Sequence, residues 1–82
     1  MKWNKISSDG LPPLKKVRNQ TAELIGEASD FCLVFGEDNL TVDYYMIWDL
    51  DFKLRNGNAD LKNGWTHAKF EVTHWTKITK PR

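Results

Sequence analysis

A chain of 82 residues can form one small domain, and it is too short to divide its apolar residues between two cores. Its 12 basic and 11 acidic residues nearly cancel, which excludes the strong net field of a dedicated nucleic-acid-binding or membrane-surface protein. Apolar residues make up 40% of the chain and include four Trp and four Phe. We therefore expect a single β-rich domain over residues 1–82 with an aromatic core.

The N-terminal sequence MKWNKISSDG lacks the apolar stretch of a secretory signal, and no segment reaches the ~18 apolar residues of a membrane span. These two features predict a cytoplasmic protein without a membrane partner. Cys32 is the only cysteine, so an intramolecular disulfide is excluded and a cysteine-based metal site is not expected. Its place in the apolar run FCLVF predicts a buried, inert thiol.

The chain begins with a short extended piece around Trp3 and Ile6, followed by SSDGLPP, whose Asp-Gly and Pro-Pro pairs favour a loop. Residues 14–25 predict a short helix, because four apolar residues fall on one helical face and a glycine follows them. The same residues are also compatible with an extended segment. The apolar positions are Leu14, Val17, Leu24 and Ile25, and the glycine is Gly26.

The run FCLVF at residues 31–35 predicts a strand, and the GEDN that follows has the glycine and Asx residues of a hairpin turn. From Val42 to Leu54 all seven even-numbered residues are apolar, while Asp43, Asp49 and Asp51 alternate with them. This period of two predicts one long, half-buried strand with its carboxylates on the solvated face.

Two Asn-Gly pairs, at residues 56–57 and 63–64, predict hairpin turns, because both central residues of a type I′ turn need positive φ. The stretch HAKFEVTHWTKI at residues 67–78 predicts the last strand. A regular pleat would point His74 into the core and Trp75 outward. The fold class is therefore mainly β: a small antiparallel sheet or open roll of three to five strands with one short helix.

No catalytic or nucleotide-binding motif is present, and His67 and His74 would lie on opposite faces of a strand, so they could not bind one metal. Asp43, Asp49 and Asp51 share a strand face and could hold a divalent cation, but carboxylates on a solvated face are the ordinary finding. We expect no cofactor, no metal and no enzymatic activity.

Aromatic side chains interleaved with lysines suit a ligand that has both a planar base and a phosphate, because the rings stack and the ammonium groups neutralise charge. The alternative is that the tryptophans pack on neighbouring strands or at a subunit interface. The candidate ligand-binding residues are Tyr45, Trp65, Lys69, His74, Trp75 and Lys77.

Several short motifs together resemble the domain of unknown function 551 family, which is found largely in bacteriophages and prophages. The resemblance implies phage or prophage origin and a small β-rich fold, without an established activity. It rests on Trp3, Ile6, Leu11-Pro12-Pro13, the run at 31–35, the aromatic stretch at 44–48, Val72-Thr73-His74-Trp75 and Pro81.

Two functions follow as hypotheses. The first is a phage accessory protein, directed against host defence, that sequesters a small nucleotide-like ligand, with the site at the interface of a homo-oligomer. The second is a protein-interaction module that inhibits a host defence or regulatory protein. It would use an edge strand or the acidic segment between Asp30 and Asp51, which has six acidic residues and no basic ones.

Overall fold

The computed structural model describes residues 2–79 and is mainly β, with eight strands in two antiparallel sheets and two short helices. This confirms the predicted fold class, although there are more strands than the three to five expected. The first sheet has the order β1-β8-β4-β5 and the second β2-β3-β6-β7. The elements are β1 (Asn4–Lys5), α1 (Ile6–Asp9), β2 (Lys15–Arg18), β3 (Leu24–Ala28), β4 (Cys32–Gly36), β5 (Asn39–Asp43), β6 (Tyr45–Trp48), α2 (Leu50–Arg55), β7 (Gly64–Trp65) and β8 (His74–Lys77).

One long, bent hairpin joins the two sheets. In the first sheet β4 pairs with β5, ending with Cys32 opposite Asp43, and in the second sheet β3 pairs with β6, ending with Ala28 opposite Met46. Residues 29–31 on one strand therefore face only two residues on the other. An extra residue of this kind is a β-bulge, which bends the strand and increases its twist. The bulge is where one sheet becomes the other.

Ser29 holds the bulge together. Its backbone N–H donates to the carbonyl oxygen of Tyr45 at 2.9 Å, and its hydroxyl oxygen accepts from the backbone N–H of Tyr45 at 2.9 Å. Ser29 itself is buried. The backbone N–H groups of Ser29 and Tyr45, which the extra residue would otherwise leave unpaired, thus both have acceptors. Buried backbone polar groups require such partners.

The residues that face the interior change from odd-numbered to even-numbered across this bend. Before it, Asp43 is fully buried and Val42 is 45% exposed, whereas beyond it Met46 is buried. The predicted uniform alternation from Val42 to Leu54 is therefore wrong, because the strand is interrupted at Tyr44, where it leaves the first sheet and enters the second. The solvated carboxylate face is wrong for Asp43 for the same reason.

The predicted long strand also ends early, at Trp48, because Asp49 starts a helix. The Asp49 carboxylate accepts from the backbone N–H of Phe52 at 3.1 Å, which is an N-cap, and α2 follows. Leu50 and Leu54 are 64% and 63% exposed on this helix. A six-residue helix with apolar residues at alternate positions reads as a strand in the sequence.

The helix predicted for residues 14–25 is wrong, and strands β2 and β3 take its place. The Asn19 side chain accepts hydrogen bonds from the backbone N–H of Thr21 at 3.0 Å and of Glu23 at 2.9 Å. Ala22 has φ of 64°, in the left-handed region. Asn19 thus builds a turn that outweighs the helical spacing of the apolar residues.

The predicted turns have mixed outcomes. The hairpin over GEDN is confirmed, since Gly36 pairs with Asn39 across Glu37 and Asp38. The two Asn-Gly hairpins are wrong, because one pair follows the end of α2 and the other leads into β7. The predicted SSDGLPP loop is interrupted by α1, a single helical turn. Neither helix within residues 2–79 is long and apolar enough to cross a membrane.

The C-terminal strand is shorter than predicted. Only His74–Lys77 form β8, while residues 66–73 are irregular and cross beneath the inner face of the first sheet. The predicted orientations are reversed: Trp75 is 6% exposed on the inner face, and His74 is half-buried on the outer face. The reason is that β8 lies between β1 and β4, with Trp75 directly opposite the buried Val34.

The main core lies on the inner face of the first sheet. Cys32, Val34 and Trp75 form its buried centre, so the burial predicted for Cys32 is confirmed. The Trp75 indole N–H donates to the carbonyl oxygen of Gly10 at 2.9 Å, which satisfies its polar atom. The half-buried residues that pack against this centre are Ile6, Trp65, Ala68, Phe70 and Val72.

Candidate functional site

The outer face of the first sheet carries an exposed apolar surface, which we call the outer apolar face. Phe35 lies at its centre, because its strand neighbours are Leu40 on β5 and His74 on β8. The Trp3 ring meets the Phe35 ring edge to face, with centroids 6.3 Å apart, and His74 meets it from the other side at 6.2 Å. The residues of the face are Trp3, Phe35, Leu40, Val42 and His74.

A shallow hollow of about 490 Å³ lies on this face, between Trp3, Phe35, Leu40 and His74. Leu40 is 61% exposed and Trp3 is 37% exposed, although both side chains are large and apolar. His74 is the one polar side chain that lines the hollow, and its Nδ1 lies 2.8 Å from the hydroxyl of Thr73. The hollow can therefore bind apolar or aromatic groups and offers little to hold a charge.

The six residues predicted to bind a ligand do not form one site. Tyr45 and Trp65 are cross-strand partners in the second sheet, with ring centroids 5.3 Å apart at 86°. His74 belongs to the outer apolar face, and Trp75 lies behind it in the core. Lys69 is exposed on the irregular segment below the sheet.

Lys77 and Trp75 border a separate cleft of about 260 Å³ at one end of the first sheet. Phe31, which is 57% exposed, forms one wall of the cleft, and the side chain of Lys15 on β2 also lines the cleft. The Lys15 ammonium lies 3.3 Å from the Asp30 carboxylate, in a pair that is exposed on both sides. The remaining lining residues are Pro12, Pro13, Asp30, Cys32 and Ile78.

Asp43 has the most extensive hydrogen bonding of any side chain in the described residues, although the sequence periodicity placed it on the solvated face. Its side chain is fully buried. The carboxylate accepts from the Thr66 hydroxyl at 2.6 Å, and from the backbone N–H groups of His67 at 2.9 Å and Ala68 at 2.8 Å. The backbone N–H of Tyr44 donates at 2.7 Å.

These bonds determine the charge of Asp43. Burial alone would raise the pKa of the carboxyl, but the hydrogen bonds from the Thr66 hydroxyl and the backbone N–H groups outweigh it and lower the pKa to about 2. The carboxylate is thus ionised at neutral pH. Because it accepts from the Thr66 hydroxyl and from the backbone N–H groups of His67 and Ala68, it fixes that segment at the bend between the two sheets.

His67 also contacts Asp43, with Nδ1 3.1 Å from the carboxylate oxygen and 2.8 Å from the Thr66 hydroxyl. The imidazole is 64% exposed, and it meets the Tyr44 ring edge to face at 6.0 Å. An aspartate and a histidine at this distance also occur in catalytic sites. Here the aspartate is occupied by backbone donors, which is the arrangement of a structural cap.

The Cys32 thiol lies opposite Asp43 and is 2% exposed. Burial, together with the nearby Asp43 carboxylate, raises the pKa of the thiol to about 11. A thiol in this state is a poor nucleophile at neutral pH. Within residues 2–79, no three His, Cys, Asp or Glu side chains are placed to hold a metal ion.

No family model, curated protein or solved structure matches the chain, so the resemblance to the domain of unknown function 551 family stays a prediction.

Proposed function

We propose that the protein is a binding module that recognises another protein through the outer apolar face. The observation that carries the proposal is the exposure of Trp3, Phe35 and Leu40 side by side on a sheet whose opposite face is already covered. Contiguous exposed apolar surface of this kind marks interaction sites in small proteins. Under the phage origin implied by the sequence resemblance, the partner would be a host defence or regulatory protein.

The chemistry of the hollow favours a protein partner over a charged small molecule. Tryptophan and other aromatic side chains dominate the binding energy of protein interfaces when they fill an apolar pocket. His74 is the single polar side chain at the hollow, which leaves a phosphate or carboxylate without a counter-charge there. An apolar side chain of the partner, inserted between Trp3 and Phe35, fits this surface.

The test is capture of a host protein by the immobilised chain, compared between two variants. Trp3→Ala removes a ring from the outer apolar face, and Leu54→Ala removes a similarly exposed apolar side chain from α2. We expect the same host protein to be retained by the wild type and by Leu54→Ala, and its retention to fall at least about tenfold for Trp3→Ala.

Circular dichroism of both variants serves as the control for folding. Equal capture by Trp3→Ala and Leu54→Ala would contradict the proposal, because binding would then not depend on this face. A reduction by both variants would point to non-specific apolar adsorption and would contradict it as well.

A second candidate function, binding of a small nucleotide-like ligand, is supported by the cleft at Lys77. Phe31 offers an exposed ring for stacking, and two ammonium groups border the same cleft, that of Lys77 and that of Lys15, which is also paired with Asp30. The cleft would take a base against Phe31 and a phosphate between the lysines. The predicted stacking on Trp75 does not contribute, because that ring is buried.

Thermal unfolding in the presence of cyclic and linear nucleotides tests this candidate. A ligand that binds the folded chain raises its melting temperature, and a concentration of 100 Kd corresponds to about 2.7 kcal/mol. We expect Lys77→Ala to abolish the shift and Lys62→Ala, an exposed lysine away from the cleft, to retain it. No shift with any nucleotide would rule the candidate out.

A further inference from the structure

Three of the four sheet edges carry features that prevent pairing with another chain. Within the described residues, β1 and β7 are each two residues long, and β2 carries three basic side chains and a register shift between Val17 and Arg18. Short strands, lysines and bulges are the devices by which proteins protect free edges. The protected edges are β1 with Lys5, β7 with Gly64, and β2 with Lys15, Lys16 and Arg18.

The fourth edge, β5, has none of these features. It is five residues long with the sequence NLTVD, and it contains no lysine, no proline and no break in its register with β4. Thr41 and Val42 are β-branched and favour strands. The one charged side chain, Asp43, is turned inward and bound within its own chain. The edge is therefore suited to accept another strand.

The hairpin geometry shows which backbone groups β5 presents. The turn contains two residues, Glu37 and Asp38, both with positive φ, so Gly36 and Asn39 form the closing pair. Hydrogen-bonded and non-bonded pairs alternate along an antiparallel ladder. Asn39 and Thr41 thus direct their backbone groups to β4, and Leu40 and Val42 direct theirs to the free edge.

We propose that β5 pairs antiparallel with β5 of a second copy of this chain, about a two-fold axis at Thr41. In this register Leu40 lies opposite the partner's Val42, and Val42 opposite the partner's Leu40. Each of these two pairs exchanges both of its backbone hydrogen bonds, because these are the residues whose groups face outward. The two threonines at the axis face each other, which is a favourable cross-strand pair.

A second copy fits this edge because the edge is symmetric about its own centre. The outward backbone groups lie one residue on each side of Thr41, and Leu40 and Val42 are both exposed apolar side chains on the outer face. Within β5 itself no exposed charge opposes the pairing, because Asp43 is the one charged residue of the strand and its side chain is buried.

The dimer would have one continuous eight-stranded sheet, with two outer apolar faces joined at Leu40 and Val42. A strand edge alone covers less than the ~800 Å² per partner of a standard interface, so dimerisation should depend on protein concentration. The inference goes beyond the proposed function and does not rest on it, because it uses the backbone edge rather than the hollow at Trp3.

A cysteine at the two-fold position tests the register. In a non-hydrogen-bonded antiparallel pair the Cα atoms lie about 4.5 Å apart, within the ~4.4–6.8 Å that a disulfide spans. We expect Thr41→Cys to form a covalent dimer on mild oxidation and Thr21→Cys, an exposed control in the β2–β3 turn, to form much less. Cys32 is buried and common to both. Equal crosslinking of the two variants would overturn the proposal.

Sedimentation over a range of concentrations tests the edge itself, with Leu40→Lys compared with Leu54→Lys. The two leucines are 61% and 63% exposed, so the substitutions are matched in chemistry and exposure. We expect the wild type and Leu54→Lys to dimerise, and Leu40→Lys to need at least about tenfold higher concentration.

Hydrogen exchange of the Leu40 and Val42 amides should slow with concentration in the wild type, because only the dimer protects them. A wild type that stays monomeric at millimolar concentration would overturn the proposal. A dimer that neither crosslinks through Thr41→Cys nor protects these amides would also overturn it, and would indicate stacking through the outer apolar face.

Discussion

The hydroxyl of Thr66 donates a hydrogen bond of 2.6 Å to the carboxylate of Asp43, which is fully buried where the first sheet bends into the second. The two residues are 23 positions apart in the chain. Their contact, with the backbone donors of His67 and Ala68, attaches the irregular segment to the end of β5. That segment covers the inner face of the first sheet, so the stability of the core depends on this carboxylate.

Replacement of Asp43 by asparagine should therefore be strongly destabilising. The amide NH₂ would face backbone N–H groups that need an acceptor, and we expect the free energy of unfolding to fall by about 2–4 kcal/mol. Urea unfolding followed by tryptophan fluorescence measures the loss. Asp60→Asn, at an exposed residue, is the matched control and should change stability by less than about 0.5 kcal/mol.

If Asp43→Asn does not fold, Thr66→Val offers a milder test. It removes one donor and leaves the carboxylate with its backbone bonds, so a loss of about 1–2 kcal/mol is expected. A change in unfolding free energy for Asp43→Asn no larger than for Asp60→Asn would show that the carboxylate does not stabilise the fold.

The same carboxylate should make stability depend on acid. Its pKa is lowered from 3.8 to about 2 in the folded chain, so the folded state favours the ionised form. The stabilisation is fully present above the unfolded pKa and is lost as the pH falls from about 4 through 2, by about 2 kcal/mol in total. Urea unfolding at a series of pH values should show this loss in the wild type. Asp43→Asn should show a loss smaller by that amount, and parallel curves would contradict the assignment.

The sequence was sufficient for the parts of the fold that depend on local chemistry. The run FCLVF with GEDN behind it predicted β4 and its hairpin, and it placed the Cys32 thiol in the core. Both signals are short and depend on residues next to each other. The mainly β fold class followed from the same kind of evidence.

The predictions from the sequence failed where a single residue changes the secondary structure or the strand face of the residues that follow it. At the bend beside Ser29 the chain passes from one sheet to the other, and Asp43 turns inward although it alternates with apolar residues. Asn19 and Asp49 each accept backbone hydrogen bonds, and they start a turn and a helix where the apolar spacing indicated otherwise. These bonds depend on partners across the strand or along the turn, which a periodicity does not contain.

The candidate site was missed for a related reason. The outer apolar face joins Trp3, Phe35, Leu40 and His74 from four different strand regions, which are brought together only by the order β1-β8-β4-β5. Of the six predicted ligand residues, only His74 lies at the hollow, and it faces outward where an inward orientation was expected. Because successive side chains of a strand point to opposite faces, an error of one residue in β8 exchanges the outward-facing ring of His74 for the buried ring of Trp75.

The Cys32 thiol should resist alkylation in the folded chain. It is 2% exposed, and its pKa is raised to about 11, so roughly 0.1% is thiolate at pH 8 even before access is considered. Iodoacetamide should modify it at least about a hundredfold faster in denaturant. The exposed cysteine of Thr21→Cys, measured in the same chain, gives the rate for an accessible thiol. Reaction of Cys32 at that rate in the folded wild type would contradict its burial.

Gly36 should not tolerate a side chain, although its backbone is an ordinary part of β4. An added Cβ would overlap the carbonyl oxygen of Glu71, which belongs to the segment beneath the sheet. That segment is held there by the Glu71 backbone N–H, which donates to the Glu37 carboxylate at 2.8 Å. We expect Gly36→Ala to lower the free energy of unfolding by about 3 kcal/mol, because backbone must move to make room.

Gly57→Ala is the control, because it replaces a glycine where an added Cβ meets no other atom. Gly57 has open space around it, and its φ of 67° alone should cost about 1 kcal/mol when alanine replaces it. Urea unfolding of the two variants separates steric overlap from backbone strain. If Gly36→Ala is no more destabilising than Gly57→Ala, the segment at Glu71 does not press on β4, and its place as the cover of the core would be wrong.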